Sequence, residues 1–115
     1  GKVGLAILPL DRFICQQAGD KLGTITTKPF KLEGDTLQVN VDAPKGRFHV
    51  EVLDSDSKPI PGFTVNELNY YGSVDALRLK PQWKNNKDLS SLKGKTIRLK
   101  FYLYNAKLYS FQVKN

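Results

Sequence analysis

Hydrophobic residues recur at every second position in four stretches of this chain. Leu37, Val39 and Val41 alternate with Gln38, Asn40 and Asp42, and Phe48, Val50 and Val52 with Arg47, His49 and Glu51. Later, Ile97, Leu99, Phe101 and Leu103 alternate with Arg98, Lys100, Tyr102 and Tyr104. Tyr109, Phe111 and Val113 close the chain against Ser110, Gln112 and Lys114. Successive side chains leave a strand on opposite sides, so each stretch predicts a strand with one face buried and one face in solvent.

Turn chemistry divides these strands. Glu33-Gly34-Asp35 precedes the first, and Ala43-Pro44-Lys45-Gly46 predicts a short antiparallel hairpin between the first and the second. Asn105-Ala106-Lys107 predicts a tight turn between the last two strands, and Asp54-Ser55-Asp56-Ser57-Lys58-Pro59 interrupts the ladder in the middle. Prolines 9, 29, 44, 59, 61 and 81 fall at the expected ends and breaks, where a missing N–H is tolerated. Asp88 to Gly94 predicts a single helical turn, residues 61–75 the longest irregular stretch, and Val3 to Leu8 a strand-like run. The expected fold is all-β: an antiparallel two-sheet β-sandwich, jelly-roll-like, with eight or nine short strands, filling residues 1–115 as a single domain.

Composition agrees with one packed core, since 40% of the 115 residues are hydrophobic and 10% aromatic. The Val3 to Leu8 run is too short to cross a membrane, and no membrane partner is expected. The chain opens at Gly1 and contains no Met, which leads us to expect a segment of a longer protein. A net charge of +7 favours an anionic partner. The basic residues are dispersed among apolar ones, however, which suits a solvated face better than a nucleic-acid footprint. Cys15 is the only cysteine and His49 the only histidine, so neither an internal disulfide nor a Cys/His metal cluster is available. Within Phe13-Ile14-Cys15, the thiol reads as a small buried side chain.

Several segments together carry a family resemblance: LGTITTKPF at 22–30, LQVNVD at 37–42, VEVLD at 50–54 and PIPGF at 59–63, then Gln82-Trp83-Lys84, LSSLKG at 89–94, IRLKF at 97–101 and LYSF at 108–111. In these the chain resembles the C-terminal β-sandwich accessory domain of bacterial proteins whose main domain is a five-bladed-propeller, glycosidase-like unit. The resemblance covers nearly the whole chain from about Gly4 onward, and none of its positions is catalytic. It implies a non-catalytic domain that packs against and stabilises the catalytic domain of the same parent chain. The parent would be a glycoside hydrolase, secreted or periplasmic.

The residues themselves also argue against catalysis. A glycosidase needs two carboxylates at a set separation, and nothing in the spacing of the eleven acids selects a pair. His49 belongs to the polar side of its strand, no Gly-x-Ser-x-Gly elbow is present, and only chance proximity would make a dyad of Cys15 and His49. Asp54 and Asp56 are a weak calcium pair, better explained as a turn that ends at Pro59. No cofactor is expected.

The aromatic residues point to a second role, carbohydrate binding, because sugar C–H faces stack on aromatic rings while charged groups take the hydroxyls. Tyr102 and Tyr104 share a strand face with Arg98 and Lys100, Tyr70 and Tyr71 fall in the irregular stretch, and Trp83 lies between Gln82 and Lys84. Each ring has a plainer use in packing, Trp83 above all. Three expectations follow: an accessory domain with an exposed apolar docking patch, a carbohydrate-binding module with exposed rings, or an enzyme with a pocket of converging titratable groups.

Overall fold

A computed structural model describes residues 6–9 and 17–115, with side chains from residue 23 onward except Ala76 and Leu77. Cys15 and the first half of the strand-like run at the start, Val3 to Leu5, lie outside the described residues. The strands are β1 (Ala6–Pro9), β2 (Gln17–Thr26), β3 (Phe30–Lys31), β4 (Thr36–Asp54), β5 (Tyr71–Leu79) and β6 (Thr96–Lys114). All pair antiparallel in one six-stranded sheet ordered β1-β6-β4-β5, with β2 and β3 also paired to β6. Among the described residues no helix is long and apolar enough to cross a membrane.

The expected hairpin at Ala43 to Gly46 and the expected turn at Asn105 to Lys107 are both bends inside continuous strands. β4 and β6 lie side by side along their whole lengths, from Thr36 opposite Lys114 to Asp54 opposite Ile97. Between the Asp42–Lys107 and Arg47–Tyr104 rungs, residues 43–46 of β4 face only residues 105 and 106 of β6. The extra residues form a bulge, which bends the strand and increases its twist. Pro44 sits in this bulge, where its missing N–H breaks no ladder bond. Asn105 takes a left-handed φ of 49°, and its Nδ2 donates to the carbonyl of Lys45 at 3.2 Å across the bend. Two pairs of expected strands are therefore each one long strand, which leaves six strands among the described residues.

The bulge also preserves the buried face. Val39, Val41 and Ala43 point inward before it and Phe48, Val50 and Val52 after it, so the inward positions change from odd to even numbers. Phe101 and Phe111 belong to the same strand, yet their ring centroids are 5.1 Å apart. In a straight strand ten positions span about 33 Å. β6 therefore doubles over, and the curled sheet closes on an apolar interior in which Phe101 also meets Phe48 at 6.0 Å.

Residues 55–70 and 80–95 cover this interior. The segment 59–63 runs along the edge of β4, with Ile60 N–H donating to Val52 O at 2.9 Å and Val52 N–H donating to Phe63 O at 3.1 Å. Phe63 then meets Trp83 edge-on at 5.3 Å. Glu67 Oε1 accepts from Gly62 N–H at 3.0 Å and from the Thr64 hydroxyl at 2.8 Å, and Asn86 Nδ2 donates to Gly62 O at 3.1 Å. The irregular stretch thus ends at residue 70, because Tyr71 to Asp75 already belong to β5. The helical turn expected over 88–94 is a 3-10 helix, Ser90–Leu92, with Asp88 Oδ1 accepting from Ser90 N–H at 2.9 Å.

Candidate functional site

The polar side chains of β4 and β6 beyond the bulge share the outer face of the sheet, and register fixes which of them meet. Arg47 is opposite Tyr104, His49 opposite Tyr102, and Glu51 opposite Lys100. On the far side of β6, Thr24 and Thr26 of β2 stand opposite Tyr102 and Lys100. On the far side of β4, Gly72 of β5 stands opposite Arg47.

Gly72 has a specific partner. A Cβ built on it would overlap the ring of Tyr70, two residues earlier, so that ring lies back over the glycine on the outer face. The residue nevertheless remains 75% exposed. One row across three strands therefore carries Tyr70 over Gly72, then Arg47, then Tyr104. The Arg47 guanidinium carbon is 4.2 Å from the centroid of the Tyr104 ring, a cation–π contact. With adjacent strands about 4.8 Å apart, the two tyrosine positions are separated by about 10 Å.

The next rows are more enclosed. Tyr102 leans diagonally across to β4, and its hydroxyl donates to Glu51 Oε2. Glu51 is only 5% exposed, so this bond satisfies a carboxylate that has left water. Lys100 Nζ lies 5.1 Å from the Tyr102 ring centroid. Burial first, then the hydrogen bond and the charge of Glu51, push the Tyr102 phenol up to about 12. Burial and the nearby Arg47 charge lower the His49 pKa below its ordinary value, which leaves the imidazole neutral at pH 7.

The Tyr102 shift has a measurable consequence. The folded state holds the phenolic proton more tightly than the unfolded chain, so its contribution to stability is complete below about pH 10 and is lost as pH rises towards about 12. An ultraviolet titration should show a tyrosine ionising towards about pH 12 as the last step, and Tyr102→Phe should remove that last step. If the last step survives in the variant, the Tyr102–Glu51 contact is not what delays it.

Four of the residues singled out in the sequence, Arg98, Lys100, Tyr102 and Tyr104, share one strand face as expected, and Tyr70 joins them from the irregular stretch just before β5. Arg98 is drawn aside, with its Nε donating to Ser55 O at 3.4 Å. Two others are not on this face. Tyr71 packs against the core, and its hydroxyl accepts from Gln82 N–H at 3.0 Å. Trp83 is 2% exposed beside Phe63, and among the described residues its indole N–H has no hydrogen-bond partner. The residues that sequence reasoning missed are Arg47, His49, Glu51 and Gly72.

Asp54 and Asp56 form a turn. Asp54 Oδ1 accepts from Asp56 N–H at 2.8 Å and from Lys58 N–H at 3.0 Å, while Ser57 takes a left-handed φ of 67°. Among the described residues no group of three or more His, Cys, Asp or Glu is placed to hold a metal ion. A shallow polar cleft of about 200 Å³ lies elsewhere, between the start of β4 and the end of β5, and includes Thr36, Lys80, Gln82 and Lys87 in its walls. Compared with protein-family models, with curated proteins and with solved structures, the chain has no match.

Proposed function

We propose that this chain is a non-catalytic accessory β-domain of a glycosidase-like parent and that it holds carbohydrate on the outer face of β4, β5 and β6. We also infer that the curled sheet works as the two layers of a jelly-roll-like sandwich, with the bulges of β4 and β6 as its corners. One observation supports the carbohydrate reading above the others: Tyr70 and Tyr104 stand in one row on either side of Arg47, with the Tyr70 ring mostly open to solvent. Rings spaced this way offer apolar faces to successive sugars of a chain, with a charged fork between them for hydroxyls.

Packing against the parent's catalytic domain needs an exposed apolar patch. Among the described side chains the exposed large hydrophobic ones are Tyr70 and Tyr109, at 75% and 42%. These are isolated tyrosines, and they suit ligand stacking better than a broad docking surface.

A glycan array followed by titration calorimetry tests the reading. Tyr70→Ala and Tyr104→Ala should each weaken binding about tenfold, the loss of one well-stacked ring. Both side chains lie outside the core, so near-ultraviolet circular dichroism should report a folded sheet in each variant. Unchanged affinity in both variants, or no glycan retained by the native protein, would overturn the reading.

A further inference from the structure

The carbohydrate reading leaves open which sugars this face selects, and the chemistry of Arg47 narrows the choice. We propose that the Tyr70–Arg47–Tyr104 row recognises a linear polysaccharide bearing carboxylates, with the Arg47 guanidinium gripping a uronate between the two rings. The proposal rests on the carbohydrate reading and adds to it a charge requirement.

Three features of the face carry it. First, Arg47 is exposed, and its guanidinium carbon lies over the Tyr104 ring. Stacking occupies a face of the guanidinium, whereas its N–H donors lie in its plane, so a stacked arginine can still offer a two-pronged edge to a carboxylate. Stacking also fixes the fork in place, which reduces the ordering cost of binding.

Second, the acid closest along the same strand face does not compete for Arg47. Glu51 is buried and accepts the Tyr102 hydroxyl. Asp42 and Asp75 face each other across the bulge from the row, with Lys107 opposite Asp42 on β6.

Third, positive charge surrounds the row. Lys45 is exposed in the bulge beside it, Lys100 lies two rungs away over Tyr102, and the whole chain carries +7. The His49 pKa is lowered first by burial and only then by this field, through the Arg47 charge beside it. A neutral glycan would leave this charge unused. A uronate would be drawn to it and then held in one orientation by the fork.

The test compares polygalacturonate and alginate with their carboxyl-reduced, neutral forms, using the intact protein and affinity electrophoresis or calorimetry. The native polymers should bind at least about tenfold more tightly than the reduced ones, as expected for one charge-assisted, two-pronged contact. Arg47→Gln should abolish that preference while leaving weak binding to the reduced polymers. Arg47→Lys, which keeps the charge without the fork, should recover only part of it. Equal binding to native and reduced polymers would overturn the charge requirement and leave the carbohydrate reading standing. Binding to none of these polymers would overturn the uronate proposal, and the array then decides the broader reading by itself. Equally tight binding to polyglutamate or to single-stranded oligothymidylate would show plain attraction of polyanions and overturn the proposal. Preserved preference in Arg47→Gln would overturn it as well.

Discussion

Phe101→Ala is expected to lower the free energy of unfolding by about 4 kcal/mol, in the middle of the range for removing a buried aromatic ring. The ring is fully buried, and it joins parts of the sheet that are far apart along the strands. It meets Phe48 across the β4–β6 ladder and Phe111 across the fold of β6 itself. Collapse cannot refill the space cheaply, because the neighbours sit on both arms of a bent strand and moving either one shears the ladder. A domain of this size is stable by only about 5–15 kcal/mol, so the variant should show a much lower denaturant midpoint or fail to fold at 37 °C. Urea unfolding followed by Trp83 fluorescence measures the effect. A loss below about 1 kcal/mol would mean that the ring does not hold the two arms together.

Gly46→Ala should be nearly as damaging, at about 3 kcal/mol, for a different reason. A Cβ at this position would overlap the backbone carbonyl oxygens of Tyr104 and Asn105 on the neighbouring strand. A flexible side chain could swing aside, but a ladder backbone cannot, so the strands must separate at the bulge. The damage falls one residue from Arg47, and the Arg47–Tyr104 rung should open with it. The variant is therefore expected to lose ligand binding along with stability, whereas Tyr70→Ala should lose binding alone. The same urea titration, paired with calorimetry, separates the two effects. Wild-type stability in Gly46→Ala would show that the bulge has room to relax.

Much of the fold was legible because burial follows period two so closely. The alternation in residues 37–41, 48–52 and 97–103 identified the inward and outward faces of these stretches, and it already put Arg47, His49 and Glu51 on the polar side. Continuity was not legible. Ala43-Pro44-Lys45-Gly46 has the composition of a hairpin, and only the surrounding register turns it into a bulge. One signal was available: the buried positions change from odd at Val41 to even at Phe48, as a bulge inside a single strand allows.

The candidate site was half legible for the same reason. Tyr102 and Tyr104 could be placed on a face from their own strand, but Arg47 is 57 positions away in sequence and meets Tyr104 only through the β4–β6 register. Tyr70 is a comparable case, since nothing local distinguishes a tyrosine in a loop from one lying over a glycine. Trp83 and Tyr71 went the other way, because a large ring beside polar neighbours is buried whenever tertiary packing needs its area.

The position of β6 in the sheet has a consequence for how the molecule is made. β1, β2, β3 and β4 all pair with it, and its residues follow theirs in the chain. While a ribosome is still adding residues 96–114, the earlier strands have only the β4–β5 ladder available, and their apolar faces stay open to solvent. Nearly all the stabilising pairings are non-local, which places the chain among slow folders. The apolar face of β4 is thus open to misassociation until β6 has been made.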